Sequence, residues 1–550
     1  MNRNLISIQQ HDLRRRYRMA LLFLAASLWA TWGQVLAAID YEQQRITIAI
    51  TQEPPNLDSS RTTDLVSFRI LGHVNEGLVR YDRRGRIAPG VAESWQSTEN
   101  GIRFRLRPDA EWSDGTRVVA DDFVYAWRLL VDPDRASPYA AIAIPFKNAA
   151  AISRGELPAH DLGIEAISDR ELEVRYETGC GYCVALMTHA AFFPIQRAFH
   201  QRQGDRYASE ADALLYNGAF VLSDWTHGAR LVLDKNPEYW DASSITLNRI
   251  DIGYVTEDNR ARLNLFRDQA IAYTALGTET VTDALDQGLR MRTFASGGLS
   301  YLWFNHREGR ATAHPSLRSA IAYAFSVDDY VNRVIGIPGY KPAYSFFPSW
   351  LNGVEGKFAD EFPVEERVRN VELARQHLQS YLKQHSGQSR DTPLVLLTVS
   401  SPTGVRVAEF FQGVISETLG IPVTIDQQTF KQYLVKSRAG DFDIALSSWY
   451  PDFDDVVTYA DLLGSYNANN RGRWRHDDYD EQLAILVRAS DPSVRMASAA
   501  ALQRLIVQHL PVLPLAETGS AWVQHPQLKG VARRVMGPDP DFTYARVSAP

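Results

Sequence analysis

The clearest pattern of apolar and polar positions lies between residues 394 and 446. Three apolar runs of strand length alternate there with two helical patterns, in the order 394–399, 405–419, 421–425, 433–438 and 442–446. Gly420 and Gly440 follow the two helical patterns, at positions typical of a helix C-terminus. This β-α-β-α-β alternation predicts a mostly parallel sheet, in which ligands bind beyond the carboxyl ends of the strands.

The loop after the third of these strands combines aromatic residues with carboxylates. Its sequence is Ser447-Ser448-Trp449-Tyr450-Pro451-Asp452-Phe453-Asp454-Asp455. An aspartate just before an apolar helical run is commonly the N-cap of that helix, and Asp454 or Asp455 lies nearer the run that starts at Val456. Because one helix needs one cap, Asp452 is predicted to be a spare carboxylate. With the two aromatic residues it is expected to line a cleft that holds one cationic group.

Strands and amphipathic helices are also predicted over most of the remaining chain. The predicted strands are 46–50, 102–106, 171–176, 219–222, 230–233 and 301–304. The predicted helices are 70–79, from Asp121 or Asp122 to Leu130, from Pro315 to Phe325, and 365–382. The fold class is therefore α/β. A length of 550 residues without a disordered linker predicts two or three domains that share crossing strands.

The N-terminus has the layout of a secretory signal peptide. Arginines at 14, 15, 16 and 18 precede an apolar run, 19–30, and the small residues Ala37 and Ala38 mark a cleavage site. A retained membrane anchor is the alternative, but the run is short for a membrane span and polar residues follow it. Residues 1–37 are therefore predicted to be removed, and the mature protein is expected in the periplasm of a Gram-negative cell.

The charge of the chain narrows the choice of partners. The formal net charge is −7, and residues 1–37 hold five arginines and one aspartate, so the mature chain would carry −11. Such an acidic protein is a poor match for nucleic acid, which binds basic surfaces. Neutral or cationic ligands remain compatible with this charge.

The two cysteines, Cys180 and Cys183, lie in the sequence Gly-Cys-Gly-Tyr-Cys. In an oxidising compartment they are predicted to form a short-loop disulfide. A redox-active C-x-x-C motif is the alternative, but the flanking sequence lacks the βαβ pattern of a thioredoxin-like domain. The common nucleotide-binding and hydrolase motifs are absent, and His306 and His314 are too weak a pair for a metal site. No catalytic residue, metal or cofactor is predicted.

Several separated motifs together resemble the peptide-binding proteins of bacterial ABC importers, the solute-binding protein family 5. They include Ala88-Pro-Gly-Val-Ala-Glu-Ser-Trp95, Trp112-Ser-Asp-Gly-Thr116, Asp122-Phe-Val-Tyr-Ala-Trp127, Asp132-Pro-Asp-Arg-Ala-Ser-Pro-Tyr139, Asn217-Gly-Ala-Phe, Asn236-Pro-Glu-Tyr-Trp240, Pro342-Ala-Tyr344 and Trp449-Tyr-Pro-Asp452. The motifs follow the order of the family from about residue 45 to the end. Periplasmic oligopeptide-binding proteins are the most similar branch.

The resemblance implies a two-lobed type II periplasmic binding protein fold with an extra third domain and mixed sheets flanked by helices. The first lobe would comprise residues 38–74, 201–297 and 521–550, the additional domain 75–200, and the second lobe 298–520. The protein would be a monomeric, non-enzymatic receptor that delivers oligopeptides to an inner-membrane ABC permease complex. A receptor for murein peptide, nickel chelate or haem is the alternative within the family. A periplasmic redox protein or peptidase is the alternative outside it.

The resemblance also implies a binding site. Backbone groups of Thr63-Asp64-Leu65 and of Ser447, Ser448, Trp449 and Tyr450 would bind the peptide as an added strand. Asp452 matches the family's aspartate for the peptide α-ammonium group. Tyr139, Tyr301 and Trp449 match aromatic residues of the cleft, and Phe430 replaces another.

The sequence departs from the family at the far end of the peptide. Gly404, Ser437 and Leu446 stand where members that favour short peptides have basic side chains, and Arg438 lies one residue away. We therefore expect tolerance of several peptide lengths or a ligand without a free carboxylate at its far end. A family disulfide in the second lobe is also absent, with Gly298 and Tyr450 in its place.

Overall fold

The computed structural model describes residues 37–98, 100–384 and 392–550. Apart from Ala37, the predicted signal peptide lies outside the described residues. Within these three ranges, no helix is long and apolar enough to cross a bilayer.

Twenty strands form the sheets of the described chain. In chain order they are β1 Ile39–Asp40, β2 Arg45–Ile50, β3 Val79–Tyr81, β4 Ile87–Pro89, β5 Ala92–Thr98, β6 Gly101–Leu106, β7 Ile164–Ser168, β8 Glu171–Arg175, β9 Phe220–Thr226, β10 Arg230–Lys235, β11 Arg249–Val255, β12 Tyr273–Leu276, β13 Arg292–Phe304, β14 Lys341–Pro342, β15 Leu394–Val399, β16 Val423–Gln428, β17 Ile444–Trp449, β18 Val512–Gln524, β19 Leu528–Lys529 and β20 Arg546–Val547.

Sixteen α-helices of very different lengths connect these strands in the described ranges. They are α1 Leu65–Val74, α2 Ala120–Val131, α3 Ala149–Ser153, α4 Cys183–Leu186, α5 Arg197–Gln203, α6 Asn259–Arg267, α7 Thr278–Asp286, α8 Pro315–Tyr323, α9 Val327–Asp329, α10 Phe358–Glu361, α11 Val371–Gln384, α12 Pro402–Leu419, α13 Phe430–Ala439, α14 Val457–Ala460, α15 Asp477–Arg488 and α16 Pro492–His509. A π-helical segment, Tyr330–Ile335, follows α9, and short 3₁₀ turns occur between several of the elements.

The largest sheet contains the predicted β-α-β-α-β unit. Its strand order is β12-β18-β13-β17-β15-β16, and β14 pairs with β18. Strands β15, β16 and β17 are parallel, as the sequence pattern predicted. Gly420 and Gly440 end α12 and α13 with φ of 66° and 83°, which confirms the predicted glycine C-termini.

Strands β13 and β18 are each 13 residues long and pair antiparallel. The sequence predicted only residues 301–304 of β13, because the preceding residues are mostly small or polar and do not alternate. The ladder shifts register between Ala295 and Leu299, and Gly297 in this interval has φ of 81°. Both strands run past the lobe boundaries that the resemblance implies, at 297/298 and 520/521.

Three predicted helix starts are corrected. Helix α1 begins at Leu65 rather than near residue 70, because the Asp64 side chain accepts the Ser67 N–H at 2.8 Å and caps it. Helix α2 begins at Ala120 and Asp122 lies in its first turn, where its carboxylate accepts the Val119 N–H at 3.0 Å. Helix α11 begins at Val371 rather than at residue 365.

Besides two two-stranded sheets, β19-β20 and β3-β4, the described chain has two further sheets. A five-stranded sheet has the order β1-β2-β11-β10-β9, and a four-stranded sheet has the order β5-β6-β8-β7. Ile102, Phe104 and Leu106 of β6 point into the core, as their alternation predicted. This core is continuous with the apolar core beside the largest sheet, so residues 78–199 pack directly against residues of the 299–512 region.

A buried polar network joins the chain segments around Glu76. The Glu76 carboxylate accepts hydrogen bonds from Tyr239 Oη at 2.6 Å and Trp240 Nε1 at 2.7 Å, and Arg80 lies 3.7 Å away. Asn217 bonds both the N–H and the carbonyl of Glu76. Two of the sequence motifs, Asn217-Gly and Asn236-Pro-Glu-Tyr-Trp240, therefore hold the five-stranded sheet to the segment after α1.

We predict that Glu76→Ala lowers the free energy of unfolding by about 3 kcal/mol, because Tyr239 and Trp240 lose their common buried acceptor and Arg80 loses a nearby counter-charge. Urea unfolding followed by circular dichroism measures the change. Glu156→Ala is the control, since Glu156 pairs with Arg154 at the surface and its loss should leave the unfolding curve unchanged. Equal curves for Glu76→Ala and wild type would contradict the role of the network.

Candidate functional site

A cavity of about 600 Å³, the large cavity, lies at the carboxyl ends of β15 and β17. Thr398 and Val399 of β15, residues 446–449 of β17 and Tyr301 of β13 line it. Helices α12 and α13 close another side. This is the position that the parallel-sheet pattern predicted for a ligand.

One edge of β17 is open toward the large cavity. Strand β17 pairs with β13 along its length but with β15 only at Ile444 and Ala445. From Leu446 to Trp449, the edge on the β15 side has no strand partner among the described residues. An open edge of this kind offers backbone N–H and C=O groups to an extended ligand.

Aromatic side chains supply much of the wall of the large cavity. Tyr301 lies opposite Ser447 in the β13–β17 ladder and is buried. Tyr433 of α13 donates its hydroxyl hydrogen to the Leu446 carbonyl at 2.7 Å. Phe430, at the start of the same helix, also lines the cavity although two-thirds of it is exposed.

The neutral positions at the predicted far end of the ligand also line the large cavity. They are Gly404, Ser437 and Leu446. Arg438, the basic residue named from sequence, is exposed on α13 and does not line this cavity. Sequence reasoning missed Arg471, which does line it. Arg471 lies 21 residues beyond Tyr450, in a polar loop without a motif, so no sequence signal placed it here.

A second cavity of about 420 Å³, the small cavity, contains Asp452. Its aromatic wall comes from Phe68, Tyr139 and His189, and the Tyr139 ring lies 5.7 Å from that of Phe68 and 4.7 Å from that of His189. Burial lowers the pKa of His189 to about 4, so this ring is neutral at pH 7. Phe68 and His189 were not predicted from sequence.

The Asp452 carboxylate has no cationic or hydrogen-bonding partner among the described residues. Its backbone N–H donates to Thr458 Oγ1 at 3.1 Å, and the same oxygen accepts the indole N–H of Trp449 at 3.4 Å. Burial raises the pKa of Asp452 to about 6, since nothing nearby stabilises the negative charge. A ligand cation would supply the missing partner.

Of the two neighbouring acids, Asp455 contacts the start of the following helix, whereas Asp454 makes no such contact in the described chain. Asp455 accepts the Val457 N–H at 3.0 Å at the start of α14 and pairs with Arg495 at 2.7 Å. Asp454 lines neither cavity, and burial, together with the charge of Asp455, raises its pKa to about 6. Asp452 is therefore the one of these three carboxylates that both lines a cavity and has no partner among the described residues.

Tyr450 connects the two cavities, because its side chain lines both. Its ring lies over Gly298, where a methyl group would come within 2.7 Å of Tyr450 Cε1. The two positions that replace a family disulfide are thus in contact, and the glycine makes room for the ring. Of the predicted peptide-binding segment Thr63-Asp64-Leu65, Leu65 lines the small cavity, whereas Thr63 and Asp64 line neither cavity.

The predicted disulfide is present, between Cys180 and Cys183 with a Cα–Cα distance of 5.6 Å. Neither cysteine lines a cavity. Tyr182, inside the loop, stacks on Phe453 with ring centroids 5.0 Å apart. The disulfide loop therefore packs against Phe453, the residue next to Asp452.

The polar groups and aromatic walls of the two cavities are suited to binding an extended ligand. In the described parts of the chain, no group of three or more His, Cys, Asp or Glu side chains could hold a metal ion. The unpaired carboxylate of Asp452, the aromatic walls and the open strand edge together match an extended ligand with a cationic end.

Comparisons with known proteins give a consistent result. Residues 86–471 match the family described as bacterial extracellular solute-binding proteins, family 5 Middle. The periplasmic murein peptide-binding protein MppA of Escherichia coli (strain K12) is 29% identical over 519 residues, which cover 94% of each chain. The periplasmic oligopeptide-binding protein OppA of Salmonella typhimurium is 27% identical over 538 residues, or 96% of each chain.

The fold has close counterparts among solved structures. The substrate-binding domain of an oligopeptide ABC transporter from Bacillus anthracis str. Ames superposes with a TM-score of 0.76 and 30% sequence identity. The match covers 94% of this chain and 100% of that chain.

Proposed function

The chain belongs to family 5 of the bacterial extracellular solute-binding proteins, and from this premise we propose that it is a periplasmic receptor that captures peptides and delivers them to an ABC importer. The family membership confirms the resemblance seen in the sequence motifs. The likeness to a solved oligopeptide-transporter domain confirms the predicted α/β fold class, a two-lobed type II binding protein with an additional domain.

The unpartnered carboxylate of Asp452 carries the proposal. A peptide presents one ammonium group at the start of an extended chain, and Asp452 lies just beyond the open edge of β17. The ammonium would neutralise the buried charge, while the peptide backbone would bond along Ser447, Ser448 and Trp449 as an added strand. Tyr139 would stand beside the amino end, and Tyr301 and Phe430 beside later residues.

The proposal includes how the chain is divided and used. The first lobe comprises residues 38–74, 201–297 and 521–550, the additional domain 75–200, and the second lobe 298–520. The position of the small cavity supports this division, because residues from all three parts line it. The mature protein would begin near Ala38, act in the periplasm as a monomer without enzymatic activity, and contact an inner-membrane permease complex.

A murein peptide is the second candidate ligand, since a relative at 29% identity is named for binding murein peptide. Ordinary and murein peptides share the features that the cavities fit, an amino group and an extended backbone. Ligands that co-purify with the protein from the periplasm, identified by native mass spectrometry, separate the two.

We predict that Asp452→Asn weakens binding of unmodified tri- to pentapeptides about 10²–10³-fold, because the peptide ammonium would be buried without a counter-charge. N-acetylated peptides should bind wild type as weakly as unmodified peptides bind the variant. Isothermal titration calorimetry measures both effects. Wild-type protein that binds none of these peptides, or binds acetylated and free peptides equally, would show that the proposed ligand or its anchor is wrong.

Peptide affinity should fall as the pH drops below 6. The ligand ammonium favours the charged carboxylate, so binding requires Asp452 to lose a proton whose pKa is about 6 in the free protein. Affinity should therefore be about tenfold lower at pH 5 than at pH 7, a range in which the peptide amino group stays mostly protonated. Calorimetry between pH 5 and 7 tests the expectation.

Asp454→Asn is the matched control for this pH dependence, since Asp454 has a similar pKa but lines neither cavity. It should retain the wild-type pH profile, whereas the residual binding of Asp452→Asn should not change between pH 5 and 7. If the pH dependence is lost in Asp454→Asn and kept in Asp452→Asn, the titrating carboxylate is Asp454 and the assignment to Asp452 is wrong.

The disulfide is expected to stabilise the fold without affecting ligand binding. A Cys180→Ser/Cys183→Ser variant is expected to lose about 2 kcal/mol of unfolding free energy, the loop-closure value for so short a loop. Its peptide affinity should stay within about twofold of wild type, because neither cysteine reaches a cavity. Wild-type protein should label with thiol reagents only after reduction. Insulin reduction that depends on these cysteines would favour the redox alternative.

A further inference from the structure

Arg471 is a cation in the large cavity without a carboxylate partner. Its guanidinium donates to the Asn469 side-chain oxygen at 2.8 Å and to the Ala468 carbonyl at 3.1 Å. Among the described residues, no Asp or Glu lies within ion-pair distance of it. Both of its hydrogen-bond acceptors are neutral and local, so the charge itself is uncompensated.

The loop that carries Arg471 is fixed in place. Asn470 is fully buried and bonds the carbonyls of Leu463, Gly464 and Trp474. The Arg471 carbonyl accepts from Arg307 Nη1 at 2.8 Å.

The neighbouring glycine brings this loop against the sheet. The Gly472 carbonyl accepts the His306 N–H at 2.8 Å, and a methyl group at Gly472 would lie 2.3 Å from the Phe304 carbonyl oxygen. The close approach to the end of β13 thus requires glycine. A guanidinium on such a fixed loop loses little conformational freedom when it binds a ligand.

The surroundings of Arg471 favour an anion. Burial and the nearby positive charges of Arg438 and Arg473 lower its pKa, so a negative ligand group would relieve repulsion as well as form hydrogen bonds. Tyr301 and Tyr433 are the other groups that interact with it electrostatically. Asp426 and Asp441, on adjoining segments, pair with Lys436 and Arg310.

The position of Arg471 complements that of Asp452. Arg471 interacts electrostatically with Tyr301 and Tyr433 on one side of the large cavity, and Tyr301 lies opposite Ser447 in the β13–β17 ladder. Ser447 and Asp452 are five residues apart along β17 and its loop, which at about 3.3 Å per residue is at most about 17 Å. An extended peptide of roughly three to five residues covers that distance.

We propose that Arg471 binds a carboxylate of the peptide, so that the cleft selects ligands with an ammonium group at one end and a carboxylate about three to five residues away. This inference rests on the proposed function. It changes the expectation drawn from Gly404, Ser437 and Leu446, because the cation reaches the same cavity from a different loop. The carboxylate is either the peptide C-terminus or an acidic side chain.

The test compares alanine peptides of two to six residues, all with free amino ends, as free acids and as C-terminal amides. Calorimetry on wild type should show the free acid binding about 10- to 100-fold tighter than the amide at one or two lengths. If the carboxylate is instead that of an acidic side chain, an amidated peptide with a glutamate at one particular position should bind as tightly as the free acid. Either source supports the proposal.

Arg471→Gln should bind free acids and amides equally, with the affinity that wild type has for the amide. Arg473→Gln is the matched control, since it removes the same charge two residues away from an exposed side chain outside the cavity. It should keep the wild-type preference within about twofold. Arg471→Lys should retain part of the preference, because Lys keeps the charge but not the planar donor fork.

The outcomes separate this inference from the proposed function. Wild-type protein that binds no peptide overturns both. Wild-type protein that binds peptides through Asp452, but binds acids, amides and glutamate peptides alike at every length, overturns only the role of Arg471. An equal loss of preference in Arg473→Gln would also overturn it, because the effect would then come from general charge. The wild-type comparison is decisive even without a folded variant.

Discussion

The structure of the binding region depends on one costly feature, a half-buried carboxylate at Asp452 that has no partner among the described residues. Removing a charged group from water without a counter-charge is unfavourable, and the pKa of about 6 expresses that cost. Three contacts of neighbouring residues keep Asp452 in this position. Thr458 accepts the backbone N–H of Asp452, Asp455 accepts a backbone N–H at the start of α14, and Phe453 stacks on Tyr182. A site of this kind is completed only when a cation arrives.

The rest of the cleft follows from where that carboxylate lies. Strand β17 leaves β15 after Ala445, so its edge opens just before Asp452 and an extended ligand can continue from the anchor along the strand. Tyr450 lies between the two cavities, and the ring fits there because Gly298 has no side chain. Arg471 lies at the other side, so the cleft carries opposite charges along its length. Backbone contacts and aromatic walls between the charges tolerate different side chains, which suits a receptor for many peptides.

The parts of the chain that build the cleft are held together by buried contacts of two kinds. The Glu76 network ties the segment after α1 to the five-stranded sheet by hydrogen bonds that have no solvent competitor. The disulfide loop joins residues 75–200 to the large sheet through Tyr182 and Phe453, and Gly181 lies against Arg495, the partner of Asp455. The disulfide thus fixes a loop that packs against Phe453, and neither cysteine lines a cavity.

The sequence by itself determined the parallel β15–β17 unit, the glycine helix ends and the disulfide, and it predicted Asp452 as the binding carboxylate among three aspartates. Each of these follows from local periodicity, capping or spacing, which neighbouring residues along the chain control. Only the tertiary structure decided the remainder: the part of β13 that precedes residue 301, and the arrival of Phe68, His189 and Arg471 in the cavities. These depend on contacts between segments far apart in sequence. Arg471 is the clearest case, because a buried asparagine and the close approach of Gly472 to β13 place it, and neither leaves a pattern in the sequence.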